Sequence, residues 1–246
     1  MKIEIVIPIL NEEATLERQI RLLERHIEIN NHFGHQILIT IADNGSTDSS
    51  PTISKELLAR FDDLKYIRIG KRGVGLALKK AWTESTADIV GFMDLDFSTD
   101  LKHLEEVWSK FENDEIGLIC GSRNRRESTV INRSLRRTIT SRVLNLILKR
   151  VFRTKFTDGM CGFKFLRRSH LNEILSCGVG FDGWFFSTEI LIVAERQGIE
   201  IFDLPITWED DRDSKVKILQ LSGEYIKNIL QLKRHFNNQQ ARIIGP

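Results

Sequence analysis

Five short apolar runs, at residues 3–9, 37–42, 64–69, 89–93 and 116–120, alternate with stretches whose apolar residues recur at helical spacing. Runs this short and continuous fit strands buried on both faces, and a strand–helix–strand rhythm closes into a largely parallel sheet with helices against it. The spacing therefore predicts an α/β fold. Its first helix is expected near Asn11, a good cap, with Leu16, Ile20, Leu23 and Ile27 as the buried stripe. Thr47 or Asp48 as cap and Pro51 in the first turn announce a second helix. Glu105, Val107, Trp108 and Phe111 fall on a helix after the fourth run. Beyond residue 121 the rhythm changes to a basic segment (133–153), a Gly/Cys turn (158–163), a helix (185–197), a short strand (200–204) and a last helix from about 216 to 236.

The 246 residues, 41% of them hydrophobic, can bury one sizeable core, and no Gly/Ser/Pro-rich linker divides them. One domain is expected, followed by a polar tail over 237–246. Lys and Arg number 36 against 34 Asp and Glu, a near cancellation that does not call for a nucleic-acid partner. Cys120, Cys161 and Cys177 are odd in number and lack Cys-x-x-Cys spacing, which argues against a disulfide frame or a zinc site and fits a reducing compartment. No apolar stretch approaches the length of a membrane span, so a soluble or peripheral, cytoplasmic protein is expected.

Asp94-Leu95-Asp96 closes the fourth run. Two carboxylates one residue apart, just past the carboxyl end of a buried strand, lie where open α/β sheets bind ligands and can hold a hard divalent cation through oxygen. The first run ends in Pro8-Ile9-Leu10-Asn11-Glu12-Glu13 and the second in Asp43-Asn44-Gly45-Ser46-Thr47-Asp48. Both open into polar turns at the same sheet edge, where amides and carboxylates can grip a nucleotide. Each alone is also an adequate cap or turn; the three together point to a site.

With these motifs the chain resembles the inverting family-two glycosyltransferases of GT-A fold. The later segments Gly121-Ser122-Arg123, Arg137-Thr138-Ile139-Thr140-Ser141, 158–164 and 208–216 extend the likeness to the polyprenyl-phosphate sugar synthases, such as dolichyl-phosphate mannose synthase and dolichyl-phosphate glucosyltransferase. The resemblance spans roughly residues 3–220. It implies a nucleotide-binding half, about 1–121, and an acceptor half, about 122–236. It also implies a base read by Asp43, a nucleotide pocket lined by Pro8, Leu10, Asn11, Glu12 and Asn44, and Mg2+ or Mn2+ held at Asp94 and Asp96 with Ser98 as a further position. Arg123 would reach a phosphate, Arg137 and Ser141 would hold the lipid phosphate, and Arg212 and Lys215 would close over the diphosphate. Catalytic roles fall on Asp94, Asp96, Arg123 and Glu189. The implied partners are a nucleotide-sugar (UDP-glucose first, GDP-mannose next), a polyprenyl phosphate, the cytoplasmic face of a membrane and a separate membrane anchor. Against the family pattern, Asn44 stands for an aspartate, Leu10 for an aromatic, Val74 for a lysine within Gly73-Val74-Gly75, and Ser98 for a glutamine; Lys71 and Arg72 are candidates for the missing charge.

The chemistry fits these residue types. Cleaving the bond from sugar C1 to a nucleoside diphosphate builds negative charge on the leaving oxygen, which a divalent cation and arginines stabilise. A phosphate monoester acceptor, with a second pKa of about 6, is largely dianionic at neutral pH and needs cations to hold it in line rather than a base. Glu189 could hydrogen-bond a sugar hydroxyl, serve as base toward a hydroxyl acceptor, or terminate a buried polar network. Trp184 and Trp208 are candidates to stack on sugar or base, with core packing the plainer alternative; Asp182 has no assignment. The segment 142–153 combines an apolar stripe with cations, as an interfacial helix does, and the last helix repeats that pattern. Two rival readings stand beside this one: a hydroxyl acceptor, or a nucleotide-sugar binder without catalysis. An NAD oxidoreductase is disfavoured, because Gly73-Val74-Gly75 follows the third run and lacks the third glycine of the dinucleotide turn.

Overall fold

The computed structural model describes residues 1–210 and 218–243. Its first half alternates β1 (Lys2–Ile9), α1 (Leu16–Asn30), β2 (Gln36–Asp43), α2 (Ser50–Leu58), β3 (Leu64–Arg68), α3 (Val74–Glu84), β4 (Ile89–Met93), α4 (His103–Phe111) and β5 (Ile116–Ser122). The five expected strands are all present. The second half runs β6 (Thr129–Ile131), α5 (Leu135–Phe152), β7 (Phe163–Arg167), α6 (Leu171–Cys177), α7 (Phe186–Arg196), β8 (Glu200–Pro205), β9 (Thr207–Glu209) and α8 (Ile218–Ile243).

Seven strands form one sheet in the order β3-β2-β1-β4-β7-β5-β8, and β6 pairs with β9 in a small second sheet. Both halves of the chain thus share one sheet. Along β1, Ile3, Ile5, Ile7 and Ile9 point into a core with Leu16, Ile20 and Leu23 of α1 and Trp108 and Phe111 of α4, while Val6 points into the opposite core with Leu78 and Trp82 of α3 and Ile190 of α7. Burial on both faces explains why the runs are continuous rather than alternating. The strand order reverses at β1, flanked by β2 and β4, so the carboxyl ends of these three parallel strands open a crevice at a topological switch point.

The element that departs from the α/β rhythm is β7, which lies antiparallel between β4 and β5. Only a Gly/Cys turn was expected there, because Phe163-Lys164-Phe165-Leu166-Arg167 has too little alternation to declare a strand on its own. Its register sets Phe163 beside Met93. The Gly/Cys turn is thereby delivered onto the end of β4.

Other boundaries also differ from expectation. Helix α1 starts at Leu16 with Thr15 at its cap, because Asn11 takes a left-handed conformation (φ 55°) and residues 12–15 form a turn first. Helix α2 is preceded by Ser49 rather than Thr47 or Asp48. Helix α8 continues to Ile243, so residues 237–243 are its last turns and not a separate polar tail. Among the described residues, no helix is long and apolar enough to cross a membrane.

Candidate active site

The ends of β1 and β2 are stitched together. Asn11 N–H donates to Ser46 Oγ at 2.9 Å, its Oδ1 accepts from Thr47 N–H at 2.8 Å, and Glu12 N–H donates to Ser50 Oγ at 2.8 Å. Glu13 and Asp48 exchange further backbone-to-carboxylate bonds across the same gap. The left-handed turn at Asn11 is the bend that brings these donors into reach, and Asn tolerates it better than most residues. Pro8 and Leu10 are half-buried beside it.

Asp43 is fully buried at the end of β2. It accepts from Ser46 N–H at 2.7 Å and from the Tyr66 hydroxyl at 2.8 Å, and Arg68 Nε lies 3.7 Å away. Burial and this bond push the Tyr66 phenol well above its ordinary range. Asn44 Oδ1 accepts from Gly73 N–H at 3.2 Å, tying β2 to the start of α3. Gly73 is required by contact rather than by dihedral: a Cβ there would stand 2.6 Å from the Asp182 carbonyl oxygen. Asp182, unassigned from sequence, holds Lys79 at 2.9 Å and Lys71 at 3.3 Å. Lys71 is therefore engaged with a carboxylate at the surface rather than standing free for a donor phosphate.

Asp94 and Asp96 follow β4 at the crevice. Asp94 N–H donates to the Gly162 carbonyl at 3.3 Å, and a Cβ on Gly162 would lie 2.0 Å from Asp94 Oδ2. Only glycine lets the turn approach this carboxylate. Burial, and then repulsion from Asp96, push the Asp94 carboxyl up to about 7, against the opposing pull of Lys164 and Arg123. Asp96 is exposed and accepts from Ser98 N–H at 2.9 Å. Ser98 is buried and its carbonyl accepts from Glu209 N–H. Two carboxylates raising each other's proton affinity form an oxygen donor set that a divalent cation relieves, and the Asp94 and Asp96 oxygens fit such an ion. Among the described residues no cluster of three or more His, Cys, Asp or Glu could hold a metal alone, which suits an ion that also takes diphosphate and water oxygens.

Behind Asp94 lies a buried cationic layer. Arg123 Nε donates to Asp158 Oδ2 at 2.7 Å and its Nη2 to Asp158 Oδ1 at 3.0 Å, while its guanidinium carbon stands 4.6 Å from the Trp208 ring centroid. This corrects the expectation that Arg123 reaches a phosphate: its fork is closed on Asp158 and its face on Trp208. Trp208 is likewise stacked on an arginine and buried. Asp158 is held well below the usual carboxylate range by that pairing despite its burial. Lys164, fully buried on β7, donates to the Gly159 and Cys161 carbonyls. No sequence pattern singled out Asp158 or Lys164 for a role. The need of a buried Arg123 for a buried partner is the signal that would have found Asp158.

Helix α5 brings its own residues to the same turn. Asn145 Oδ1 accepts from Gly159 N–H at 2.9 Å, and its amide donates to the Ser141 carbonyl. Ser141 is buried, and its Oγ has no partner among the described residues. Arg137 Nη1 lies 2.7 Å from Asp210 Oδ1. The expectation of a free Arg137 guanidinium is corrected accordingly. Arg212 and Lys215 lie outside the described residues.

Glu189 is the clearest correction. Buried on α7, it accepts from the backbone N–H groups of Val179, Gly180 and Phe181, the last two both at 3.0 Å. Burial raises its carboxyl against the opposing effect of those amides. Its oxygens anchor the loop that packs on Gly73 and Gly75, so it terminates a buried polar network instead of facing a reacting atom.

Comparison with known proteins agrees with this architecture. Glycosyl transferase family 2 matches residues 4–175. The chain is 30% identical over 223 residues to a protein of Haloferax volcanii named glycosyltransferase AglD, covering 89% of this chain but 35% of that one, so it spans about a third of that relative's length. It is 26% identical to a dolichyl-phosphate beta-glucosyltransferase of Saccharomyces cerevisiae, with 94% of this chain and 74% of the relative covered. A solved glucosyl-3-phosphoglycerate synthase of Mycobacterium tuberculosis, in complex with Mn2+, UDP and phosphoglyceric acid, superposes with a TM-score of 0.68 at 18% identity, covering 94% of this chain and 78% of that one. A mannosyltransferase of Pyrobaculum calidifontis in complex with GDP-Man and Mn2+ gives 0.61 at 15% identity, covering 96% and 63%. Likeness at these identities concerns the fold, and it is that of GT-A enzymes. The matched span covers most of the sheet and every strand end of the crevice, and the chain is a glycosyltransferase belonging to glycosyl transferase family 2.

Proposed function

We propose that this enzyme moves a hexose, glucose from UDP-glucose by preference, onto a polyprenyl phosphate, by a single in-line displacement that inverts the anomeric centre. The relatives named dolichyl-phosphate beta-glucosyltransferases support the donor sugar and the acceptor class. The observation that carries the acceptor is the commitment of Glu189 to three backbone amides. A hydroxyl acceptor needs a base to take its proton, whereas a phosphate monoester arrives largely ionised. Asp158 is closed on Arg123, and Asp94 with Asp96 forms the cation site. The hydroxyl-acceptor reading thus lacks its base among the described residues of the crevice.

The division of labour follows from position. Asp43 and the stitched β1–β2 turn form the nucleoside end of the crevice. Asp94 and Asp96 would hold Mg2+ or Mn2+, which when bound stabilises the charge developing on the leaving diphosphate. Arg123 and Lys164, one paired and one buried, bias the field behind Asp94 toward its ionised form. The acceptor approaches from the α5 side.

Helix α5 also offers the means of reaching a lipid. Leu135, Ile139, Val143 and Leu146 are 80%, 61%, 49% and 54% exposed and recur at helical spacing. Arg136, Arg142, Lys149 and Arg150 are exposed beside them, an arrangement suited to the headgroup region of an anionic bilayer. The test of the donor assignment is calorimetric titration with UDP-glucose and GDP-mannose, with Mn2+, Mg2+ or chelator. Metal-dependent binding that favours UDP-glucose is expected; preference for GDP-mannose would overturn the donor, and binding unaffected by chelator would overturn the metal.

A further inference from the structure

We infer that Arg133 is the residue that receives the acceptor's phosphate group. This inference rests on the lipid-phosphate reading above and adds a ligand to it. Of the arginines that converge on the Asp158 turn, Arg123 is closed on Asp158 and Arg137 on Asp210. Arg133, two residues before α5, differs from both. It is only partly exposed, its Nε is buried, and that Nε has no hydrogen-bond partner among the described residues. Its charged neighbours are Arg123, Asp158 and Asp210, so the two nearby carboxylates already serve other guanidiniums. Desolvation with like charge beside it lowers its proton affinity, to about 10.

A guanidinium withdrawn from water and left without a counter-ion is costly, and an incoming anion of matching geometry removes that cost. A tetrahedral phosphate presents paired oxygens to such a fork. A second orphan stands on the same side: Ser141 Oγ is buried and unpartnered on the face of α5 that, through Asn145, meets the Asp158–Cys161 turn. A hydroxyl donor and an unpaired cation directed at one turn make a site for a dianion. Its place at the start of α5, the helix with the exposed apolar stripe, assigns it to the lipid's monophosphate and not to the donor's diphosphate.

The test uses the full chain with farnesyl phosphate as a short prenyl monophosphate, farnesol as its neutral counterpart, and UDP with Mn2+ as donor probe. Arg133→Gln is expected to weaken farnesyl phosphate binding by about 10- to 100-fold. It should leave UDP·Mn2+ affinity within about twofold and leave farnesol unaffected, since neither relies on this charge. In steady-state transfer the loss should fall on the KM for the prenyl phosphate, with partial recovery in Arg133→Lys. Because the side chain has no partner to lose, the variant should melt no lower than wild type. Weakened UDP binding with intact farnesyl phosphate binding would overturn the inference in favour of the donor, and a lower melting temperature with unchanged affinities would make Arg133 structural. Failure of wild type to bind farnesyl phosphate while binding UDP would reject the acceptor reading itself, and this inference with it.

Discussion

Asp94 carries the tightest constraint in the molecule, pressed between Gly162 on one side and Asp96 on the other. Gly162→Ala must displace the carboxylate, and a shift of about 1 Å costs roughly a hundredfold in rate, so kcat should fall by at least that factor while UDP binding without metal persists. Asp94→Asn predicts an opposite pair of effects. Because the folded carboxyl titrates near 7, above its ordinary 3.8, the unfolded state binds fewer protons between those values. Stability of the metal-free protein therefore declines as pH rises through that window. Asp94→Asn removes this liability, so calorimetry at pH 8 without metal should show a higher melting temperature than wild type, by about 2–4 °C for each kcal/mol relieved, with activity abolished. A melting temperature equal to wild type would argue against a raised Asp94. Asp94-Leu95-Asp96 was legible in the sequence because a carboxylate pair at a strand end is a local pattern. The partners of Arg123 and Arg137 were not, since Asp158 and Asp210 lie 35 and 73 positions along the chain and meet them only through the sheet.

At the scale of elements, the reading from sequence followed continuity of burial. The parallel strands are apolar throughout because both faces are covered, and their helices carry plain stripes, so β1 to β5 were visible. Strand β7 was not, since it holds a buried lysine and is defined by neighbours on both sides rather than by its own pattern. The loop before α7 depends on Glu189 in the same non-local way. Glu189→Gln substitutes an amide that accepts through one oxygen only, leaving at least one buried amide unsatisfied at about 1–3 kcal/mol. Reduced thermal stability with more than a tenth of wild-type kcat is expected; a collapse of kcat at unchanged stability would restore Glu189 as a base. For α5, replacing Leu135, Ile139, Val143 and Leu146 together by serine should abolish sedimentation with anionic vesicles. The melting temperature should change little, because the stripe packs against nothing in the chain. Undiminished vesicle binding would remove α5 from the membrane contact.

Across the whole molecule, a single sheet joins a nucleotide-gripping edge to an acceptor side, and the antiparallel β7 is the seam. Its turn places Gly162 on the metal-site carboxylate and Asp158 under Arg123, while α5 reaches the same turn from the side that exposes the apolar stripe. Donor, cation and lipid phosphate are thus arranged around one five-residue turn. That arrangement requires an acceptor that brings its own negative charge. The direct test offers the enzyme labelled UDP-glucose with Mn2+ and either polyprenyl phosphate or the matching polyprenol. The account predicts organic-extractable label with the phosphate alone, as a β-linked sugar; label on the free alcohol, or a product that keeps the donor's α configuration, would contradict it.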